Sequence, residues 1–237
     1  MTDTRKWSVA VVTAGSSEAS STKLLVDRAA GAAVSVSESR GGTLGVVDID
    51  LRRLAGEIMP ALTTRAVGEG LARAVASLAE ADGVIVSTPV YNAGPSGLFT
   101  SFFQAIEDDL IIAKPVLLAA TAASPRHALV VDDQMRPMFA YLRALTVPTS
   151  LFAAGEDWND PELGSRIQRA ATELVLLMDS DFTRHVRDAS WDRYRHDFGS
   201  TAAARDGIDF DSDMMRLAAG GSLTDVGSDE GSIGHDE

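Results

Sequence analysis

The chain has 237 residues, of which 45% are hydrophobic and 23% are charged, and its formal net charge is −13 at pH 7. This composition predicts a globular protein with a large core, and no apolar run approaches the roughly 20 residues that a membrane span needs. The absence of cysteine excludes disulfides, thiolate metal sites and a cysteine nucleophile.

Much of the negative charge lies near the C-terminus. Residues 205–237 contain nine Asp or Glu and two Arg, and they are rich in Gly and Ser. Such segments bury too little apolar surface to fold alone, so we predict a partly disordered acidic extension over residues 186–237 after a folded domain over residues 1–185. No basic stripe is present to neutralise phosphates, so we predict no nucleic-acid partner. We also predict no membrane partner and, without a signal-peptide pattern, a cytoplasmic location.

Strand-like and helix-like segments alternate along the chain. Short runs rich in Val, Ile and Leu predict five buried strands, at residues 7–13, 43–49, 83–88, 115–121 and 147–154. Apolar residues at helical spacing predict helices, at residues 20–33, 64–81, 97–108, 130–145 and 161–186. Because helices divide the strands, we predict an α/β fold with a five-stranded parallel sheet and helices on both faces, in three layers. Ligands of such sheets bind beyond the carboxyl ends of the strands.

The loop after the first predicted strand combines small residues with hydroxyl side chains at the start of a helix. Ser17, Ser20, Ser21 and Thr22 supply four hydroxyls within six positions, and the N–H groups at a helix N-terminus attract anions. Helix capping accounts for one or two of these residues, but four favour a terminal phosphate monoester. The loop lacks the G-x-G-x-x-G of dinucleotide turns and the Gly-Lys-Ser/Thr of nucleoside triphosphatases.

The loop after the third predicted strand places an aromatic side chain and an amide just past the strand end. Residues 86–104 are VSTPVYNAGPSGLFTSFFQ. Pro89 and Pro95 stiffen the backbone. Between them Tyr91 and Asn92 would suit a flat heterocycle, since an amide both donates and accepts hydrogen bonds. Taken alone, a Tyr-Asn pair is more often only a turn.

The segment TPVYNA at residues 88–93, followed by PSGL, resembles the flavin-contacting motif of the NAD(P)H-dependent FMN reductases. That family commonly has Thr-Pro-x-Tyr-Asn and then Pro-Gly-x-Leu-Lys. The first loop is similar to the family's phosphate loop in its hydroxyl residues, although the usual Gly-Ser pair and following Arg are not evident in it. A third resemblance lies in QMR at residues 134–136, and together the three cover about residues 7–180. Through TPVYNAGPSGLFTSFF at residues 88–103 and FAYLRALTVPTSLFAA at residues 139–154, the sequence particularly resembles reductase components paired with luciferase-like, FMN-dependent monooxygenases.

The resemblance implies a flavodoxin-like fold that binds FMN and transfers hydride to it from NADPH or NADH. It implies cofactor-binding residues in three loops: Ser17, Ser20, Ser21 and Thr22 at the phosphate; Pro89, Val90, Tyr91, Asn92 and Ala93 along the isoalloxazine ring; and Thr121, Ala122 and Ser124 at its other edge. We predict no catalytic acid or base and no metal site, because the flavin carries the redox chemistry. Arg126 and His127 fit a flavin edge and a solvated helix start equally well.

The resemblance also implies a homodimer or homotetramer and, as a further partner, a flavin-dependent monooxygenase. Phe99, Phe102 and Phe103 lie at helical spacing, which is typical either of core or of a surface that packs on a second subunit. Three other functions stay open at this point. They are a quinone or azo-compound reductase with bound FMN, a non-enzymatic flavodoxin-type electron carrier, and an interaction module whose acidic tail is the active part.

Overall fold

The computed structural model describes residues 5–17 and 20–191. Residues 192–237, which make up nearly all of the predicted acidic extension, lie outside the described residues, so that extension stays a prediction. Within the described ranges, every helix is too short or too polar to cross a membrane.

The described residues contain seven strands and seven α-helices. The strands are β1 (Lys6–Thr13), β2 (Thr43–Asp50), β3 (Gly83–Tyr91), β4 (Gly94–Pro95), β5 (Pro115–Thr121), β6 (Leu145–Thr146) and β7 (Leu151–Ala153). The helices are α1 (Ser21–Ser39), α2 (Leu51–Thr64), α3 (Glu69–Glu80), α4 (Gly97–Ala105), α5 (Arg136–Tyr141), α6 (Pro161–Asp179) and α7 (Phe182–Val186).

The main sheet is parallel and runs in the order β2-β1-β3-β5-β6, with β7 also paired to β5. The predicted five-stranded parallel sheet is confirmed, with its fifth place shared by β6 and β7. Thr13 pairs with both Asp50 and Ser87, and Pro89 pairs with Thr121. This register brings the carboxyl ends of β2, β1, β3 and β5 to one edge of the sheet.

The fifth strand is interrupted where the sequence predicts one continuous strand over residues 147–154. Pro148 lies in the interruption, and proline has no N–H to give to a ladder. The guanidinium of Arg136 binds this interrupted stretch. It donates to Thr146 Oγ1 at 2.8 Å, to the Val147 carbonyl at 3.1 Å and to Ser150 Oγ at 2.6 Å.

Two apolar clusters cover the two faces of the sheet, as the three-layer prediction requires. Val84 and Val86 belong to the cluster on one face, and Ile85, between them, belongs to the cluster on the other, because side chains alternate along a strand. Phe99, Phe102 and Phe103 of α4 are almost completely buried in the first cluster. Their interpretation as a surface for a second subunit is therefore wrong.

Helix α2 lies between the second predicted strand and the helix predicted over residues 64–81, in a stretch for which no helix was predicted. The Asp50 side chain caps it by accepting from the Arg52 N–H at 3.0 Å, and Leu51, Ile58 and Ala61 are buried. Pro60 lies inside this helix, and interior proline normally argues against a helix. Burial of the apolar face outweighs that local penalty here.

Two other predicted helices are shorter than expected. The helix predicted over residues 130–145 is a π-helical turn at Val131–Met135 followed by α5. The helix predicted over residues 161–186 is divided into α6 and α7, because Asp181 adopts a positive φ of 54°.

Candidate functional site

The first loop runs from the end of β1 to the start of α1 with its backbone close to the helix. A Cβ placed on Gly15 would come within 2.2 Å of Ser20 Oγ, so a side chain at this position would displace the Ser20 hydroxyl. Ser20 caps α1 by accepting from the Lys23 N–H at 3.0 Å. A hydroxyl that accepts a bond in this way keeps its own proton for another partner. Ser17 and Ser21 are exposed on either side of it.

Thr22 differs from the other three hydroxyl residues of this loop. It is buried, and its Oγ1 lies 2.7 Å from Oγ1 of Thr121, which is also buried. The structure thus brings together residues predicted for the phosphate and for the ring edge. Their hydroxyls bind each other and support the wall beneath the loops.

The second loop is the tip of a β-hairpin. Strands β3 and β4 pair antiparallel, with Val90 opposite Pro95 and Tyr91 opposite Gly94. Asn92 and Ala93 form the tip with φ values of 50° and 62°, and hairpins with two-residue loops of this kind require positive φ at both positions. Asn adopts this conformation readily, whereas Ala does so at a cost. Tyr91, Asn92 and Ala93 are all exposed.

Buried hydroxyls lock the base of this hairpin. Thr88 Oγ1 accepts from the Ser96 N–H at 2.9 Å and lies 3.1 Å from Ser96 Oγ. Ser96 in turn caps α4 by accepting from the Phe99 N–H at 3.3 Å. The strand, the hairpin and the helix are therefore held by one small polar network.

Two further contacts fix the exposed end of the hairpin. Gln134 Nε2, from the π-helical turn, donates to the Ala93 carbonyl at 2.6 Å. Tyr91 Oη donates to Ser16 Oγ at 3.3 Å, which links the hairpin to the first loop. Gln134 was identified in sequence only through the resemblance of residues 134–136, and Ser16 was not identified, because these contacts join segments that are distant in the chain.

The third loop follows β5 and is tied to the end of the neighbouring strand. The Ala122 N–H donates to the Ala153 carbonyl at 3.1 Å. Ser124 accepts from the Arg126 N–H at 3.4 Å and so caps the short 3₁₀ turn at Pro125–His127. Arg126 Nε donates to His127 Nε2 at 3.3 Å, and both residues lie on this turn.

A cavity of about 210 Å³ lies between the first loop and the junction of β2 with α2. It is lined by Thr13, Gly15, Ser17, Ser20, Lys23, Asp50, Arg52 and Arg53. Sequence reasoning missed Asp50, Arg52 and Arg53 because it missed α2. An Asp cap followed by apolar residues at helical spacing, at positions 51, 54, 58 and 61, was the available signal.

Lys23 lines this cavity and carries a positive charge. Partial burial acts to lower its pKa, but the hydrogen bond to Asp27 and the charge of Asp48 outweigh burial and raise the pKa above its ordinary value. Its Nζ lies 2.7 Å from Asp27 Oδ1 and 3.5 Å from Asp48 Oδ1.

A second cavity, of about 290 Å³, lies at the opposite, amino edge of the sheet. Lys114 lines it and is almost completely buried. Its Nζ donates to the carbonyls of Leu78 and Ala79 at 2.7 and 2.8 Å, at the end of α3. Burial, with help from the charge of Arg187, lowers the pKa of Lys114 to about 8.

Comparisons with known proteins show which family this chain resembles. Residues 8–159 match the family model for NADPH-dependent FMN reductase. The chain is 38% identical over 134 residues to the NADH-dependent FMN reductase SfnE of Pseudomonas putida, across 54% of this chain and 72% of that protein.

Two solved structures have folds similar to that of this chain. An oxidoreductase from Corynebacterium diphtheriae is 40% identical with a TM-score of 0.71, across 75% of this chain and 98% of that chain. The flavodoxin, WrbA-like protein from Agrobacterium tumefaciens is 18% identical with a TM-score of 0.50, across 76% of this chain and 98% of that chain. The predicted flavodoxin-like fold is confirmed.

Proposed function

The chain belongs to the NADPH-dependent FMN reductase family, and we propose that it transfers hydride from NADH or NADPH to FMN. The family is one of oxidoreductases, so the predictions of an enzyme that uses FMN and a nicotinamide cofactor are confirmed. The substrates of this protein follow from its family.

One observation carries the proposal at the level of residues, namely the contact between the hairpin and the first loop. Tyr91 Oη lies 3.3 Å from Ser16 Oγ, so the segment predicted to bind the ring lies beside the segment predicted to bind the phosphate. The hairpin lies at the end of β3 and the first loop lies at the end of β1. These two strands are neighbours in the sheet, and the strand order reverses between them. Open α/β sheets bind their ligands at such a point.

The groups at this edge fit FMN. Ser17, Ser20 and Ser21 offer hydroxyls, and the start of the 19-residue α1 offers backbone N–H groups to a phosphate. The Ser20 hydroxyl occupies the place that a side chain at Gly15 would take, so glycine there lets that hydroxyl lie against the loop. These features support assigning the phosphate end of FMN to the first loop. Thr22 supports the loop from below through Thr121.

The hairpin suits the ring end of FMN. Pro89 and Val90 are half-buried at its base, while the side chains of Tyr91 and Asn92 are exposed. An aromatic ring and an amide on a rigid hairpin provide a flat surface and hydrogen-bonding groups. Thr121, Ala122 and Ser124 follow the neighbouring strand and are assigned to the other edge of the ring.

The proposed reaction requires positioning more than proton transfer. When bound, FMN supplies the ring that accepts the hydride. The residues of the chain hold its phosphate end, orient its ring and leave one face open to nicotinamide. None of their side chains is assigned as an acid or a base.

The proposal includes a homodimer or homotetramer as the working assembly. Leu129 and Tyr141, which follow β5, have 67% and 71% of their surface exposed. Single exposed apolar side chains are normal on protein surfaces, so the assembly is proposed from the resemblance to the family. Sedimentation equilibrium of the full chain tests this part, and a purely monomeric protein would contradict it.

The proposal also includes a cytoplasmic location and a flavin-dependent monooxygenase that receives reduced FMN. The similarity of residues 88–103 to reductase components of such systems supports the partner.

Anaerobic flavin bleaching tests the central proposal. The full chain is mixed with NADH or NADPH, first alone and then with excess free FMN, and the absorbance of oxidised flavin is followed. We expect at least one nicotinamide to bleach many equivalents of FMN per protein. Bound FMN that neither nicotinamide reduces would contradict the proposal and favour an electron carrier. Rapid turnover with a quinone but not with free FMN would favour a quinone reductase.

A further inference from the structure

The π-helical turn at Val131–Met135 supports the tip of the hairpin. Gln134 Nε2 donates to the Ala93 carbonyl at 2.6 Å. The Gln134 amide lies close against the hairpin, because a Cβ placed on Gly94 would come within 3.0 Å of its Oε1. The position of this turn therefore bears on the position of the hairpin tip.

Two further residues of the same segment bind the interrupted fifth strand. Asp132 Oδ1 accepts from Ser150 Oγ at 2.6 Å and from Arg136 Nε at 3.0 Å. Arg136 Nη2 donates to Ser150 Oγ at 2.6 Å, so Asp132, Arg136 and Ser150 form one closed anchor. Arg136 Nη1 extends the anchor to the Val147 carbonyl at 3.1 Å. The turn is thus tied to the fifth strand both near its start and directly after its end.

The π-helical geometry lets one short turn make both sets of contacts. The Arg136 N–H donates to the carbonyl of Val131, five residues before it, and single turns of this kind are frequent at functional sites. Val131 and Met135 are buried in the apolar cluster that contains α4. Asp132 and Gln134, two positions apart between them, reach the fifth strand and the hairpin respectively.

We propose that Asp132 and Arg136 are positioning residues for the flavin ring, because they anchor the π-helical turn from which Gln134 supports the hairpin. This inference rests on the proposed function, in which the hairpin binds the ring of FMN. Neither side chain is assigned a contact with the flavin. Their effect on flavin binding passes through the bond between Gln134 and Ala93.

The anchor should contribute less to flavin affinity than Gln134 itself. Asp132 exposes 50% of its side chain and Arg136 exposes 29%, and ion pairs that water can reach are weak. Losing the anchor should therefore loosen the turn without removing the amide that contacts the hairpin.

The test is a binding titration of the full chain with FMN and with riboflavin, followed by flavin fluorescence without nicotinamide. We expect Asp132→Ala to raise the dissociation constants of both flavins about threefold, because both carry the ring. In a Gln134→Ala background the same substitution should change neither constant, because the contact through which it acts is gone. Arg136→Gln should follow the same pattern, since it removes the other half of the anchor. Urea unfolding of each variant checks that it is folded in the titration.

Asp133→Ala is the matched control. Asp133 is the next residue of the same π-helical turn and is also exposed. Its substitution removes the same charge as Asp132→Ala, but the bonds of the anchor do not involve its carboxylate. This variant should leave both flavin affinities unchanged.

Three outcomes would overturn the inference. One is an unchanged affinity for both flavins in Asp132→Ala. Another is a loss for FMN but not for riboflavin, which would assign the anchor to the phosphate end of FMN. The third is an undiminished loss in the Gln134→Ala background, since Asp132 would then act by another route. Because the titration contains no nicotinamide, a protein with the expected coupling but no hydride transfer would refute the proposed function alone.

Discussion

Thr22 and Thr121 lie 99 positions apart in the chain, yet their Oγ1 atoms are 2.7 Å apart and both side chains are buried. Thr22 belongs to the first turn of α1, and Thr121 ends β5. This hydrogen bond therefore joins the first and third loops beneath the proposed flavin site. Both hydroxyls are shielded from bulk solvent.

Replacing only one of these hydroxyls should cost more than replacing both. Thr22→Val keeps the shape but leaves the Thr121 hydroxyl buried without its partner, so we expect the free energy of unfolding to fall by about 1–3 kcal/mol. The double variant Thr22→Val/Thr121→Val removes both polar groups and should recover much of that loss. Urea unfolding of the four proteins measures the coupling. Losses that simply add would show that the bond is not a stabilising one.

The tip of the hairpin carries conformational strain at Ala93. Its φ of 62° is a conformation that glycine adopts freely, so we expect Ala93→Gly to raise the free energy of unfolding by about 0.5–1 kcal/mol. Ala72, exposed within α3, is the control, since Ala72→Gly should lower the free energy by about 1 kcal/mol. A loss of stability in Ala93→Gly as well would contradict the assignment of strain.

Gln134 holds the hairpin in place through its bond to the Ala93 carbonyl. Gln134→Ala should loosen the tip and raise the dissociation constant of FMN about fivefold, the loss expected for one hydrogen bond. Stopped-flow dilution should show faster release of FMN. Gln168→Ala, at an exposed position of α6, should change neither quantity. Identical FMN release in both variants would mean that the hairpin needs no support from Gln134.

Lys114 should make stability depend on pH above neutrality. Burial lowers its pKa from 10.5 to about 8, so between these pH values the unfolded chain holds a proton that the folded chain has lost. The free energy of unfolding should therefore rise with pH across this window, by about 3 kcal/mol in total. Below pH 8 that contribution is absent.

The measurement is urea unfolding of the wild type and of Lys114→Met at several pH values. Subtracting one profile from the other removes the contributions of other titrating groups. We expect a difference that grows between pH 8 and pH 10.5. A constant difference would mean that Lys114 titrates alike in the folded and unfolded chain.

Four of the five predicted strands correspond closely to β1, β2, β3 and β5. Strands β1, β3 and β5 have both faces covered, so they leave short, continuous apolar runs that are visible without a structure. The fifth strand was harder to place. At its break, Arg136 of α5 donates to Thr146 and Ser150, and a local sequence pattern does not indicate a contact between such distant segments.

Only part of the candidate site was predictable, because some of its contacts join segments that are distant in the chain. Hydroxyls at a helix start and the TPVYNA segment identified the first loop and the hairpin directly. Contacts such as that of Tyr91 with Ser16 depend on strand register and order. The cavity lining at Asp50, Arg52 and Arg53 was missed because no helix was predicted directly after the second strand.

The interrupted fifth strand limits how this protein can associate edge to edge. Unpaired strand edges are templates for another chain, and natural sheets protect them by keeping edge strands short or covered. Here the carbonyls of Val147 and Pro148 already accept from Arg136, and only β6 and β7, of two and three residues, remain on either side. An incoming strand would find no continuous row of hydrogen-bonding groups, so this side of the sheet is closed to lateral growth into aggregates.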